Sequence, residues 1–125
     1  MTGRLRYGAK VDANHGVPRE FLRDRCGGFV AEQVGGSWTY TANYRGCRFL
    51  LLDLSKFGGA LTDWLIQCLD NDRFFWLESK TPEAYRQKNH DMTAGELWLF
   101  GKVKNFRFVV TDEDMQGAMD ELINE

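Results

Sequence analysis

A chain of 125 residues, 43% hydrophobic and 14% aromatic, has apolar side chains enough for one well-packed core and too few for two, so a single domain over 1–125 is expected. No apolar run approaches the roughly 18 residues that span a bilayer, and the opening Met1-Thr2-Gly3-Arg4-Leu5-Arg6 lacks the apolar stretch of a secretory signal, so the expectation is a soluble, cytoplasmic protein without membrane contact. The net charge of -2 excludes a global pull on polyanions, but the signs are segregated, with Arg4, Arg6, Lys10, Arg19, Arg23 and Arg25 near the start and Asp112, Glu113, Asp114, Asp120, Glu121 and Glu125 near the end.

Asn14 is a suitable N-cap for a helix over 15–25, in which Val17, Phe21 and Leu22 fall on helical spacing and Cys26-Gly27-Gly28 supplies the stop. Pro18 sits in the first turn, where a missing N–H is tolerated. Segments 29–34, 37–43, 48–54, 63–69 and 73–78 read as strands, separated by Gly35-Gly36, Arg45-Gly46, Gly58-Gly59 and Asp70-Asn71-Asp72. The polar stretch 81–91 reads as a loop or irregular excursion, after which Thr93 caps a short helix through Phe100 that Gly101 ends. A strand over 106–110 precedes a closing helix over 112–124 with apolar Met115, Ala118, Met119, Leu122 and Ile123.

Without repeats or a dividing linker, the order helix, strands, helix, strand, helix predicts one α/β layer structure. Cys26, Cys47 and Cys68 are odd in number and show no C-x-x-C pairing, so reduced, mostly buried thiols are expected rather than a disulfide framework or zinc knuckle. A thiol enzyme using Cys26 or Cys68 finds no Cys-His-acid arrangement in the sequence. Trp64, Trp76 and Trp98 read as core or dimer-interface residues, whereas Trp38, beside Tyr40 and Tyr44, is the candidate for stacking on a base.

The residues that carry chemistry are Asp63, after the Gly58-Gly59 turn, and Glu78-Ser79-Lys80 at the end of the following strand. Strand side chains alternate, so Glu78 and Lys80 share a face while Ser79 turns away, and a hairpin between the two strands brings Asp63 beside Glu78. Two adjacent carboxylates repel when ionised, and a hard cation such as Mg²⁺ or Mn²⁺ relieves that repulsion through oxygen ligands, with the Ser79 carbonyl a natural addition. Such an ion activates water and offsets charge on a phosphate, and Lys80 would orient the water or screen the phosphate. On spacing alone, a pair of solvated strand tips has the same pattern.

Further landmarks occur in a fixed order: Asp12-Ala13-Asn14-His15, Leu22-Arg23, the strand 49–55, Gly58-Gly59-Ala60-Leu61-Thr62-Asp63, Glu78-Ser79-Lys80, Met92-Thr93-Ala94-Gly95-Glu96 and the 106–110 strand before an acidic helix start. In these the chain resembles small phage-type nucleases of the PD-(D/E)xK superfamily, close to the VRR-NUC group. Three features depart from that pattern: Thr62 stands for the usual Pro, Met92-Thr93-Ala94-Gly95-Glu96 renders the later motif loosely, and the segment 28–47 reads as an inserted hairpin. The resemblance implies a restriction-endonuclease-like core, a mixed β-sheet flanked by helices, and metal-dependent hydrolysis of DNA phosphodiesters at junctions, flaps or single-strand-bearing sites. It implies Asp63, Glu78 and the Ser79 carbonyl as metal ligands, Lys80 as the catalytic cation, DNA as partner and a homodimer.

His15 stands at a first-helix position often held by Glu in that superfamily, and reads either as a ligand or water contact or as a backbone-bonded helix-start histidine. Glu20, one turn on, reads as an exposed helix residue beside Arg19 and Arg23. Glu96 is either a polar residue facing the metal or a first-turn acid favoured by the helix dipole. Lys80, Arg86 and Lys88, with Asn89 and His90, form the nearest basic cluster for phosphate contacts, or a solvated loop. The alternative to an enzyme is a catalytically inactive nuclease-fold protein that binds a host or phage protein, suggested by the negative charge and the altered first-helix motif.

Overall fold

The computed structural model describes residues 16–124; Asp12, Asn14 and His15 lie outside them. Six strands form one sheet in sequence order: β1 (Val30–Val34), β2 (Ser37–Tyr44), β3 (Cys47–Asp53), β4 (Trp64–Cys68), β5 (Phe74–Ser79) and β6 (Phe106–Val109). Neighbours are antiparallel except β5 and β6, which are parallel, so the sheet is mixed. Helices are α1 (Val17–Arg25), α2 (Pro82–Tyr85), α3 (Ala94–Lys102) and α4 (Asp112–Ile123). The expected order is the one observed.

Two tight hairpins begin the sheet, and their turns explain the register. Arg45 and Gly46 both have positive φ, 52° and 81°, the backbone twist that suits a two-residue hairpin and that Gly adopts without steric cost. Tyr44 consequently pairs with Cys47, and the ladder continues to Thr39 against Leu52. Gly35 and Gly36 repeat the device between β1 and β2. β1 and β2 form one antiparallel hairpin, but β2 does not stand apart from the core: its Tyr40, Ala42 and Tyr44 are buried, whereas every residue of β1 is exposed.

Alternation divides the sheet into two faces. One carries Tyr40, Ala42, Phe49, Leu51, Trp64, Ile66, Cys68, Phe75 and Leu77, and buries them under Phe21 and Leu22 of α1 and Met115, Ala118, Met119 and Leu122 of α4. Each of the larger aliphatic and phenylalanine side chains contributes about 1.5–3 kcal/mol by leaving water. The Arg25 guanidinium ties α1 to α4 by donating to Gln116 Oε1 at 3.1 Å, and the Tyr44 hydroxyl donates to Asp120 Oδ1 at 2.7 Å. The other face is half-covered: α3 and the 3₁₀ segment Ser55–Ala60 pack together near the site, while Leu50, Leu52, Leu65 and Trp76 line an open groove with Thr39 and Thr41.

Two local expectations shift. The 81–91 stretch holds a one-turn helix, because Thr81 Oγ1 accepts from Ala84 N at 3.1 Å and Pro82 is pre-set for a first helical position. Gly101 does not end α3, which continues to Lys102, with Val103 N donating to Leu99 O at 3.1 Å. No helix among the described residues is long and apolar enough to cross a membrane. Of the four tryptophans, Trp64 is in the core, Trp76 is half-buried, and Trp38 and Trp98 are exposed.

Candidate active site

β5 lies between β4 and β6, and its sequence Phe-Phe-Trp-Leu-Glu-Ser is apolar until the end. A carboxylate at that end is in an interior strand, where charges persist only when paired. Glu78 is 2% exposed and Lys80 8% exposed. The antiparallel register pairs Trp64 with Leu77, so Asp63 stands one step further along, opposite Glu78 and on the same face. Asp63 is fixed there as Oδ2 accepts from Ser79 N at 3.2 Å. Thr62 is fully buried and donates its hydroxyl to Trp64 O at 2.9 Å, which sets the chain just before Asp63.

Lys80 Nζ lies 3.4 Å from Glu78 Oε2 and 3.9 Å from Glu96 Oε1, and donates to the Asp91 carbonyl at 2.9 Å. Glu96 reaches this position as part of a capping box: Thr93 Oγ1 accepts from Glu96 N, while Glu96 Oε1 accepts from Thr93 N at 3.0 Å. Glu96 is thus the first-turn acid of a capping box, buried at the head of α3 and adjacent to Lys80. Asp63, Glu78, Lys80 and Glu96 are brought together. Ser79 lies at the same strand end, with its side chain directed to the opposite face by alternation.

Electrostatics mark Glu78 within this group. Burial, then the neighbouring Asp63 and Glu96 carboxylates, push its carboxyl up to about 8, against the opposing pull of Lys80. Glu78 Oε1 and Ser79 Oγ are buried and have no hydrogen-bond partner among the described residues. An orphaned carboxylate oxygen beside two further acids fits a hard cation, which takes oxygen ligands.

Arg86 and Lys88 are exposed, Arg86 within 3.9 Å of Glu83. Glu20 is exposed on α1. His15 lies outside the described residues. Sequence reasoning missed the Asp91 carbonyl as the restraint on Lys80. Asn89, His90 and Asp91 all have positive φ, near 54°, and His90 stacks on Tyr85 with ring centroids 4.3 Å apart. Asn, His and Asp are the non-glycine types most often found in left-handed backbone, so Asn89-His90-Asp91 carried the signal for this turn.

A second group of ligand-type atoms lies elsewhere. Cys47, Cys68 and Asp70 hold their sulfur and oxygen atoms within 4.8 Å of one another, an arrangement capable of coordinating a metal ion, and no other trio of His, Cys, Asp or Glu among the described residues is so tight. All three cysteines are free thiols, but the expectation that most are buried does not hold: Cys68 is buried, whereas Cys26 and Cys47 are only partly so. Burial, Cys68 and Asp70 push the Cys47 thiol up, whereas burial alone pushes Cys26 up to about 11 against the pull of Arg25.

No family model, no curated protein and no solved structure matches the chain. The mixed six-stranded sheet flanked by helices is compatible with a restriction-endonuclease-like scaffold in general.

Proposed function

We propose that the chain is a Mg²⁺- or Mn²⁺-dependent nuclease of the PD-(D/E)xK type, resembling VRR-NUC proteins, with Asp63, Glu78 and the Ser79 carbonyl holding the ion. The observation that carries this reading is the unpartnered, buried Oε1 of Glu78 across the strand ladder from Asp63. A bound divalent ion there would supply water activation and a counter-charge for the phosphate. Lys80, held by Glu78, Glu96 and the Asp91 carbonyl, presents a positive charge at the same spot to a phosphate oxygen or an attacking water. Glu96 sets Lys80 rather than joining the ion. The loop after β5, with Arg86 and Lys88, would track the DNA backbone. A homodimer belongs to the same reading, and the open sheet face with Leu50, Leu52, Leu65 and Trp76 offers apolar surface for it.

Incubation of end-labelled single-stranded, duplex, flap and four-way-junction DNA with Mg²⁺, Mn²⁺ or EDTA tests the proposal. Ion-dependent cutting by the wild-type chain, lost in Glu78→Ala and Lys80→Ala, is expected. No cutting of any substrate would favour a catalytically silent nuclease-fold protein that binds a host or phage protein.

A further inference from the structure

The three ligand-type residues Cys47, Cys68 and Asp70 belong to one corner of the sheet. Phe49 pairs with Cys68 in the β3–β4 ladder, and Leu69 N donates to Arg48 O at 2.8 Å, so the ladder runs on by one step. One further step puts Cys47 opposite Asp70, with Cys68 diagonal to Cys47. Positions 47 and 49 on one strand and 68 and 70 on the other share a face by alternation. Three ligand groups therefore converge because of register, although Cys47 and Cys68 are far apart in sequence.

We propose that Cys47, Cys68 and Asp70 bind a thiolate-preferring divalent cation of the zinc class, as a site separate from the Asp63–Glu78 pair. The donor set decides the metal class: two sulfurs suit zinc, whereas Mg²⁺ and Mn²⁺ take oxygen. Tetrahedral bonds of about 2.3 Å to sulfur set neighbouring ligand atoms roughly 3.8 Å apart, inside the observed 4.8 Å span. Asp70 already holds its orientation, since Oδ2 accepts from Arg48 N at 3.1 Å. The turn that carries it is anchored as well, with Asn71 Nδ2 donating to Leu122 O at 2.9 Å and Arg73 N donating to Asn71 Oδ1 at 2.9 Å. Cys68 is fully buried, Cys47 partly buried and Asp70 exposed, so the site is open on one side, where water can complete a fourth position.

Separation from the first site is geometric. Asp63 and Cys68 lie at opposite ends of β4, roughly 17 Å apart at about 3.4 Å per residue, and on opposite faces. The bound ion would tie β3 and β4 to the turn that docks on the end of α4, with its fourth position open to water.

Co²⁺ added to the reduced chain is the test, because two thiolate ligands give a near-ultraviolet thiolate-to-cobalt band and tetrahedral geometry gives visible absorption. One equivalent should raise both, and Zn²⁺ should displace it. Cys47→Ser and Cys68→Ser should abolish the band, and Asp70→Asn, at an exposed position that leaves the core intact, should weaken Co²⁺ binding at least tenfold. Cys26→Ser and Glu78→Ala should leave it unchanged. Absence of the band in the folded wild-type chain, or its persistence in either the Cys47 or the Cys68 variant, overturns the site. Zn²⁺ should also slow alkylation of Cys47 in the wild-type chain, and an unchanged rate counts against it equally.

Discussion

Lys80 Nζ approaches one oxygen of Glu78, Oε2, at 3.4 Å, while the other, Oε1, has no hydrogen-bond partner among the described residues. The ammonium is shared with Glu96 and the Asp91 carbonyl, so it neutralises the acidic group only in part. A buried carboxylate half-satisfied in this way takes either a proton or a cation.

Protonation of Glu78 should make stability fall with rising pH. Its carboxyl sits at about 8 in the folded chain, above the ordinary carboxylate value of 4.5, so between these values the folded state binds more protons than the unfolded one. Stability from this group is then full at low pH and is lost as pH rises through 8. Glu78→Gln, which cannot ionise, should raise Tm relative to the wild type at pH 9 and leave it nearly unchanged at pH 5. A difference independent of pH in thermal unfolding would contradict the assignment.

Cation binding should displace that proton. Below pH 8 the apparent affinity for Mn²⁺ should climb by up to about tenfold per pH unit and then level off. Calorimetry in buffers of different ionisation enthalpy should count close to one proton released at pH 6.5.

Removal of Lys80 should separate charge from fold. The Lys80 ammonium pulls the Glu78 carboxyl down, so Lys80→Met should move its titration above 8, as followed by carbon-detected NMR of the carboxyl. The same variant should lose about a hundredfold or more in DNA cleavage, the scale for loss of one stabilising group at the reacting phosphate.

The capping box should be separable from the charge of Glu96. Thr93→Ala should cost about 1 kcal/mol in urea unfolding. Glu96→Gln retains an acceptor for Thr93 N and should cost less, while lowering the Glu78 titration by removal of a like charge.

Core and surface apolar residues should also behave differently. Met119→Ala, fully buried under the sheet, should cost about 2–5 kcal/mol. Trp98→Ala, at an exposed position of α3, should fall within about 0.5 kcal/mol of the wild type.

Much of this arrangement is legible in the sequence because it follows from short-range rules. Glu78 and Lys80 share a face by alternation, and the Asp70-Asn71-Asp72 turn folds β4 onto β5 so that Asp63 faces Glu78. Thr93 and Glu96 announce the start of α3 through their spacing. What escaped depends on register over longer distances or on unusual backbone. Cys47 and Cys68 meet only through the β3–β4 ladder, whose connection carries the 3₁₀ segment Ser55–Ala60, and spacing without a C-x-x-C pattern does not reveal that. The Asp91 carbonyl reaches Lys80 through three successive left-handed residues, a conformation to which ordinary propensity gives little weight. Trp98 resembles a core residue by composition, yet α3 buries only Glu96 and Leu99.

Calorimetric titration of Mn²⁺ into the chain at pH 8.5 tests the central claim most directly, with wild type, Glu78→Ala, Asp63→Asn and Cys47→Ser compared side by side. One Mn²⁺ site that disappears in the Glu78 and Asp63 variants and persists in the Cys47 variant is the predicted result. No binding by the wild type, or equal binding by Glu78→Ala, would contradict the assignment of Asp63 and Glu78 as a metal-binding pair.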